Sequence, residues 1–66
     1  MAVGFVRSFD EENGYGFIED DEGVQYFVHH SGIEMEGFRT LLRGDNVIFD
    51  IATTKRGLEA IKVRKI

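Results

Sequence analysis

An all-β domain, closing as a small five-stranded antiparallel barrel, is the fold this sequence predicts. Three observations lead there. Apolar residues alternate with polar ones in five short runs; polar, glycine-bearing stretches separate those runs; and Gly32, Gly37 and Gly44 interrupt the one gap long enough for a helix. Closure into a barrel removes the exposed edges that five short strands would otherwise carry.

The first strand is expected over residues 3–9, ended by the polar stretch from Asp10 to Asn13. Residues 15–20 and 24–30 form a hairpin around Asp21-Glu22-Gly23, with Gly23 taking the left-handed position of a three-residue loop. On its inner face Ile18, Val24, Tyr26 and Val28 make a buried layer. Asn46 to Thr53 places Val47, Phe49 and Ile51 on one face, and Ile48, Asp50 and Ala52 on the other. The fifth strand runs from about Leu58 to Val63 or Ile66 after the turn Lys55-Arg56-Gly57. Its candidate core residues are Leu58, Ala60 or Ile61, and Val63. Between strands three and four, Ser31 to Asp45 forms a long loop that opens with one short helical turn and sends Leu41 and Leu42 into the core.

The outer face of the hairpin carries the functional signal. Alternation projects Tyr15 with Phe17 and Phe27 with His29, and the loop length sets Phe17 opposite Phe27 and Tyr15 opposite His29. These rings are surplus to a core already supplied by the other face. A chain of 66 residues cannot readily cover both faces of a sheet, so the rings form an exposed platform on which nucleobases can stack. Phe38, followed by Arg39 in the long loop, either extends this platform or anchors the loop to the core.

Composition bounds the alternatives. The chain reads as one domain, residues 1–66, without cysteine for disulfides or thiolate metal sites. No apolar run approaches the ~20 residues of a membrane span and the start is not a signal peptide, so a soluble, cytoplasmic monomer is expected. Twelve acidic residues against eight basic ones give a formal net charge of −4, which leaves little phosphate neutralisation and makes stacking the main source of affinity. The acids cluster at Asp10-Glu11-Glu12 and Glu19-Asp20-Asp21-Glu22; Arg7, Arg39 and Arg56 are the cations expected to touch a nucleic-acid backbone or lie on a ring.

Other chemistries fit less well. His29 and His30, as neighbours on a strand, should face opposite ways and so not share a metal ion. Gly14-Tyr15-Gly16 lacks the third glycine and the helix of a phosphate-binding loop. Ser31 has no organised acid or oxyanion site beside it. Neither enzymatic activity, a cofactor, a metal nor a small-molecule substrate is expected. The rival reading is a module that offers its aromatic face to a protein.

The segments Gly4-Phe5-Val6-Arg7, Asn13-Gly14-Tyr15-Gly16-Phe17-Ile18, Tyr26-Phe27-Val28-His29-His30-Ser31 and Gly37-Phe38-Arg39-Thr40-Leu41 resemble the bacterial cold-shock proteins over nearly the whole chain. The first aromatic segment is similar to that family's first ribonucleoprotein motif and the second to its second. The resemblance implies a five-stranded Greek-key barrel, the OB-fold, that binds single-stranded RNA and DNA with little sequence preference and acts as an RNA chaperone. It implies base stacking by Phe9, Tyr15, Phe17, Phe27, His29 and Phe38, with Arg7 and Arg56 beside the strand and His30 extending the platform. Departures bear on affinity. Ser8 stands where the family typically has Trp, His30 where Phe is usual, Asn13 for a common Lys and Asp10 for a common Asn. Phe5, Gln25 and Leu58 also differ from the usual residues.

Overall fold

The computed structural model describes residues 1–35, 37 and 40–66. Five strands, β1 (Ala2–Asp10), β2 (Tyr15–Asp20), β3 (Gln25–His29), β4 (Asn46–Thr54) and β5 (Gly57–Lys65), close into a barrel in the order β1-β2-β3-β5-β4. Four pairings are antiparallel; the β3–β5 contact is a short parallel one, Phe27 beside Glu59 and Val28 beside Ala60. A 3-10 turn, His30–Gly32, follows β3.

Local chemistry sets the turns. After β2, the Asp20 carboxylate accepts the amides of Glu22 (3.0 Å) and Val24 (2.9 Å) and the Tyr26 hydroxyl (2.8 Å), while Gly23 takes a φ of 82°. Burial works to raise the Asp20 carboxyl, but the bonds from Tyr26, Val24 and Glu22 outweigh it and hold the group below its ordinary range. After β1, Asp10 plays the same part, accepting Asn13 through side chain and backbone and the Glu12 amide. The Asn13 bonds above all keep the Asp10 carboxyl low.

Val6, Ile18, Tyr26, Val28, Ile33, Leu41, Val47, Phe49, Ala60 and Val63 form the core, with Tyr26 and Phe49 meeting edge to face at 5.1 Å between ring centroids. Each large apolar side chain buried there contributes about 1.5–3 kcal/mol. Gly16 lies where β1 passes so close that a Cβ would strike the Ser8 carbonyl and the Phe9 Cα.

Four expected core positions lie outside it. Val24 is the last residue of the turn rather than the first of the strand. Leu42 sits at the corner of a turn closed by Asp45, whose carboxylate accepts the Leu42 amide, so only Leu41 points inward. Ile51 and Leu58 lie on the inward side but beyond the barrel: β1 pairs with β4 only as far as Ala2 opposite Phe49, so β1 does not cover them. The inward run of β5 jumps from Ala60 to Val63 because Lys62, at φ 51°, is an extra residue between the pairs Asp50–Ile61 and Ile48–Arg64.

Candidate nucleic-acid interface

The β2–β3 register is Tyr15 opposite His29 and Phe17 opposite Phe27. Inward-facing neighbours Gly16, Ile18 and Val28 are buried, which leaves the alternate rings on the outer face. Tyr15 and Phe17 are 42% and 40% exposed, respectively, and Phe27 lies half-buried between them. The Tyr15–Phe27 centroids are 5.9 Å apart with planes inclined at 37°, and the Phe17–Phe27 centroids are 6.0 Å apart at 77°. The Arg56 guanidinium, from the β4–β5 turn, lies over the Phe27 ring at 5.4 Å, a cation–π contact that places a positive charge on the platform.

The two imidazoles sit together, contrary to the expectation that they face apart. His30 has already left the strand to begin the 3-10 turn, so its ring swings over Gly14 and lies 4.3 Å from the His29 ring, inclined at 38°. The Ser31 amide donates to His29 Nδ1 (3.3 Å) and the Ser31 hydroxyl lies 2.8 Å from the same nitrogen. With Nδ1 accepting, the ring proton belongs on Nε2, which makes that atom a donor. His29 thus caps the turn that positions His30. Among the described residues, no three His, Asp or Glu side chains converge as metal ligands would.

β1 adds a less obvious element. Val6 pairs with Ile18 and Ser8 with Phe17, two steps on one strand against one on the other, so Arg7 is the extra residue of a bulge. On the other side of Val6 the loop before β4 continues the β1–β4 pairing, the Val6 amide donating to the Asp45 carbonyl and its carbonyl accepting the Gly44 amide. Two consequences follow. Ser8 is turned outward beside Phe17, and Phe9 is turned to the side of Gly16, half-buried against the core rather than among the exposed rings. Arg7 reaches sideways to an exposed ion pair with Glu19 at 2.9 Å. Phe38 and Arg39 lie outside the described residues.

The parallel β3–β5 pairing sets Glu59 beside Phe27, and β1 sets Asp10 beside Tyr15, so carboxylates flank the rings. Asp10 at the rim accords with its departure from the family's common Asn, which makes that rim more negative. No signal in the sequence announces Glu59, because it reaches the platform only through a pairing between strands distant in sequence.

Residues 2–66 match the family model described as the 'Cold-shock' DNA-binding domain. A cold shock-like protein of Thermotoga maritima is 51% identical over 63 residues, 96% of each chain. A cold shock-like protein of Listeria monocytogenes is 48% identical over 66 residues, the whole of both chains. Among solved structures, Drosophila Unr CSD456 superposes with a TM-score of 0.79 at 24% identity, over 98% of this chain; this chain spans 26% of that one.

Proposed function

The chain belongs to the cold-shock domain family, and on that premise we propose that it binds single-stranded RNA and DNA by stacking bases on Tyr15, Phe17, Phe27 and His29. The observation that carries this reading is the exposed group of three rings on one sheet face with the Arg56 guanidinium laid over Phe27. Bases stack on such rings whatever their identity, so sequence preference is low. His30 extends the surface; Arg56 and Arg7 face the sugar–phosphate chain, with Arg39 as a further cation expected there; the family resemblance adds Phe38. Phe9 supports the platform from the core side.

By holding bases against the protein, binding disfavours pairing within an RNA and opens weak hairpins without ATP, the action of an RNA chaperone. The protein acts as a cytoplasmic monomer without catalysis. No described helix is long and apolar enough to cross a membrane. Few cations face the strand, so the salt dependence is shallow: two phosphates neutralised, or three with Arg39, give a slope of about −1.4 to −2.1 in log K against log salt for a single strand.

Phe17→Ala and Phe27→Ala test the reading. Each variant should keep the amide spectrum of the folded barrel and lose most oligothymidine binding. Wild-type affinity in both would refute the platform. The carboxylates of Asp10 and Glu59 beside the rings would then favour a basic peptide as the partner.

A further inference from the structure

The outer face of β1 carries two apolar side chains, Val3 and Phe5, that the barrel does not use. Phe5 is 38% exposed. Alternation places it outward because Gly4 and Val6 on either side are buried. Its cross-strand neighbours are Glu19 on β2 and Asn46 on β4. Glu19 stands two residues beyond Phe17 on the same outer face of β2, so Phe5 is the diagonal neighbour of Phe17, with Cα atoms about 7–8 Å apart. Phe5 therefore continues the line of rings around the barrel.

Between the two rings lies the Arg7–Glu19 ion pair. Arg7 is there because the bulge that turns Ser8 outward also frees the Arg7 side chain to cross to β2. An exposed pair of this kind is weakly held, so exchanging the Glu19 carboxylate for a phosphate oxygen costs little. A ring for a base and a guanidinium for the phosphate beside it are the two parts a single-stranded nucleic acid needs at each step. Of the other acids close to this end of β1, Asp45 is already held by Lys65 at 3.2 Å, and Asp20, opposite Gly4, by the Tyr26 hydroxyl and the turn amides of Glu22 and Val24.

We propose that Phe5 and Arg7 form a further nucleotide subsite, in which Phe5 stacks on the base one step beyond Phe17 and Arg7 leaves Glu19 to bind the intervening phosphate. The proposal rests on the platform reading above. It gives the strand a direction across the barrel, from the His29–His30 end over Phe27 and Phe17 to β1. It also offsets in part the stacking surface that Ser8 does not provide.

Oligothymidines lengthened one nucleotide at a time, titrated into wild type and variants by calorimetry, test it. Wild type should show a last step in affinity, about fivefold, at one particular length. Phe5→Ala should lack that step yet bind shorter strands as wild type does, and Phe5→Tyr should restore it. Glu19→Gln should strengthen binding most for strands long enough to show the step. A Phe5→Ala curve that follows wild type at every length overturns the subsite. Failure of the platform looks different: there Phe17→Ala leaves binding unchanged, or wild type binds no oligothymidine, and both readings fall together. If Phe17→Ala weakens binding while Phe5→Ala does not, the subsite alone is wrong.

Discussion

Restoring an aromatic residue at position 8 should strengthen binding by a predictable amount. Ser8 is exposed and is the register partner of Phe17, which puts the two Cβ atoms about 4.5–5.5 Å apart on the outer face. An indole there would lie against the Phe17 ring and widen the platform by one flat surface. A base stacked on an aromatic side chain is worth about 1–3 kcal/mol, so Ser8→Trp should tighten oligothymidine binding about 5- to 150-fold. Stability should change little, since the position is solvent-facing and an aromatic cross-strand pair contributes only about 0.2–1 kcal/mol. The assay is built into the substitution: the chain has no Trp, so the new indole is the only one, and a stacked base quenches it. Calorimetry on wild type and variant supplies the affinity ratio without relying on fluorescence. An unchanged ratio, with the variant folded and its indole quenched, would refute the premise that surface stacking limits affinity.

Stability should fall in acid. Asp10, Asp20 and Asp45 are held below the ordinary carboxylate range, the last chiefly by the Leu42 amide, so the unfolded chain binds more protons than the folded one as pH drops. Urea midpoints should be flat from neutrality to about pH 5 and decline as pH falls through about 4 and lower, with Asp20→Asn reducing the decline; a midpoint that rises on acidification would contradict this. Lys62→Gly should stabilise the barrel by about 0.5–1 kcal/mol, because relief of the left-handed conformation at φ 51° exceeds the added entropy of the unfolded glycine. A lower melting temperature would count against that balance. Gly16→Ala should cost about 1–3 kcal/mol or more in denaturant unfolding, since its methyl group meets the β1 backbone rather than a movable side chain.

What the sequence made legible was local. The hairpin register followed from a loop of known length ending in Gly23, and with it the facing of Tyr15, Phe17, Phe27 and His29. Simple alternation falls short where parity or coverage depends on something non-local. Alternation alone cannot see the extra residues Arg7 and Lys62, which shift every side chain beyond them and so decide the sides of Ser8, Phe9 and Val63. Ile51 has the right parity for the core and lies exposed because β1 does not reach it. The meeting of His29 and His30 depends on the chain leaving β3 one residue earlier than the apolar pattern implies. Glu59 reached the platform through the parallel pairing that closes the barrel, which no run of residues announces.

Titrating a short oligothymidine into isotopically labelled protein, and following amide and aromatic resonances, decides whether the outer face of β2 and β3 is a nucleobase platform. Saturable shifts are expected, centred on Tyr15, Phe17, Phe27 and His29 and spreading to His30 and Arg56. Absence of shifts at millimolar oligonucleotide, or shifts centred on the exposed end of the β4–β5 hairpin at Ile51 and Leu58, would contradict it.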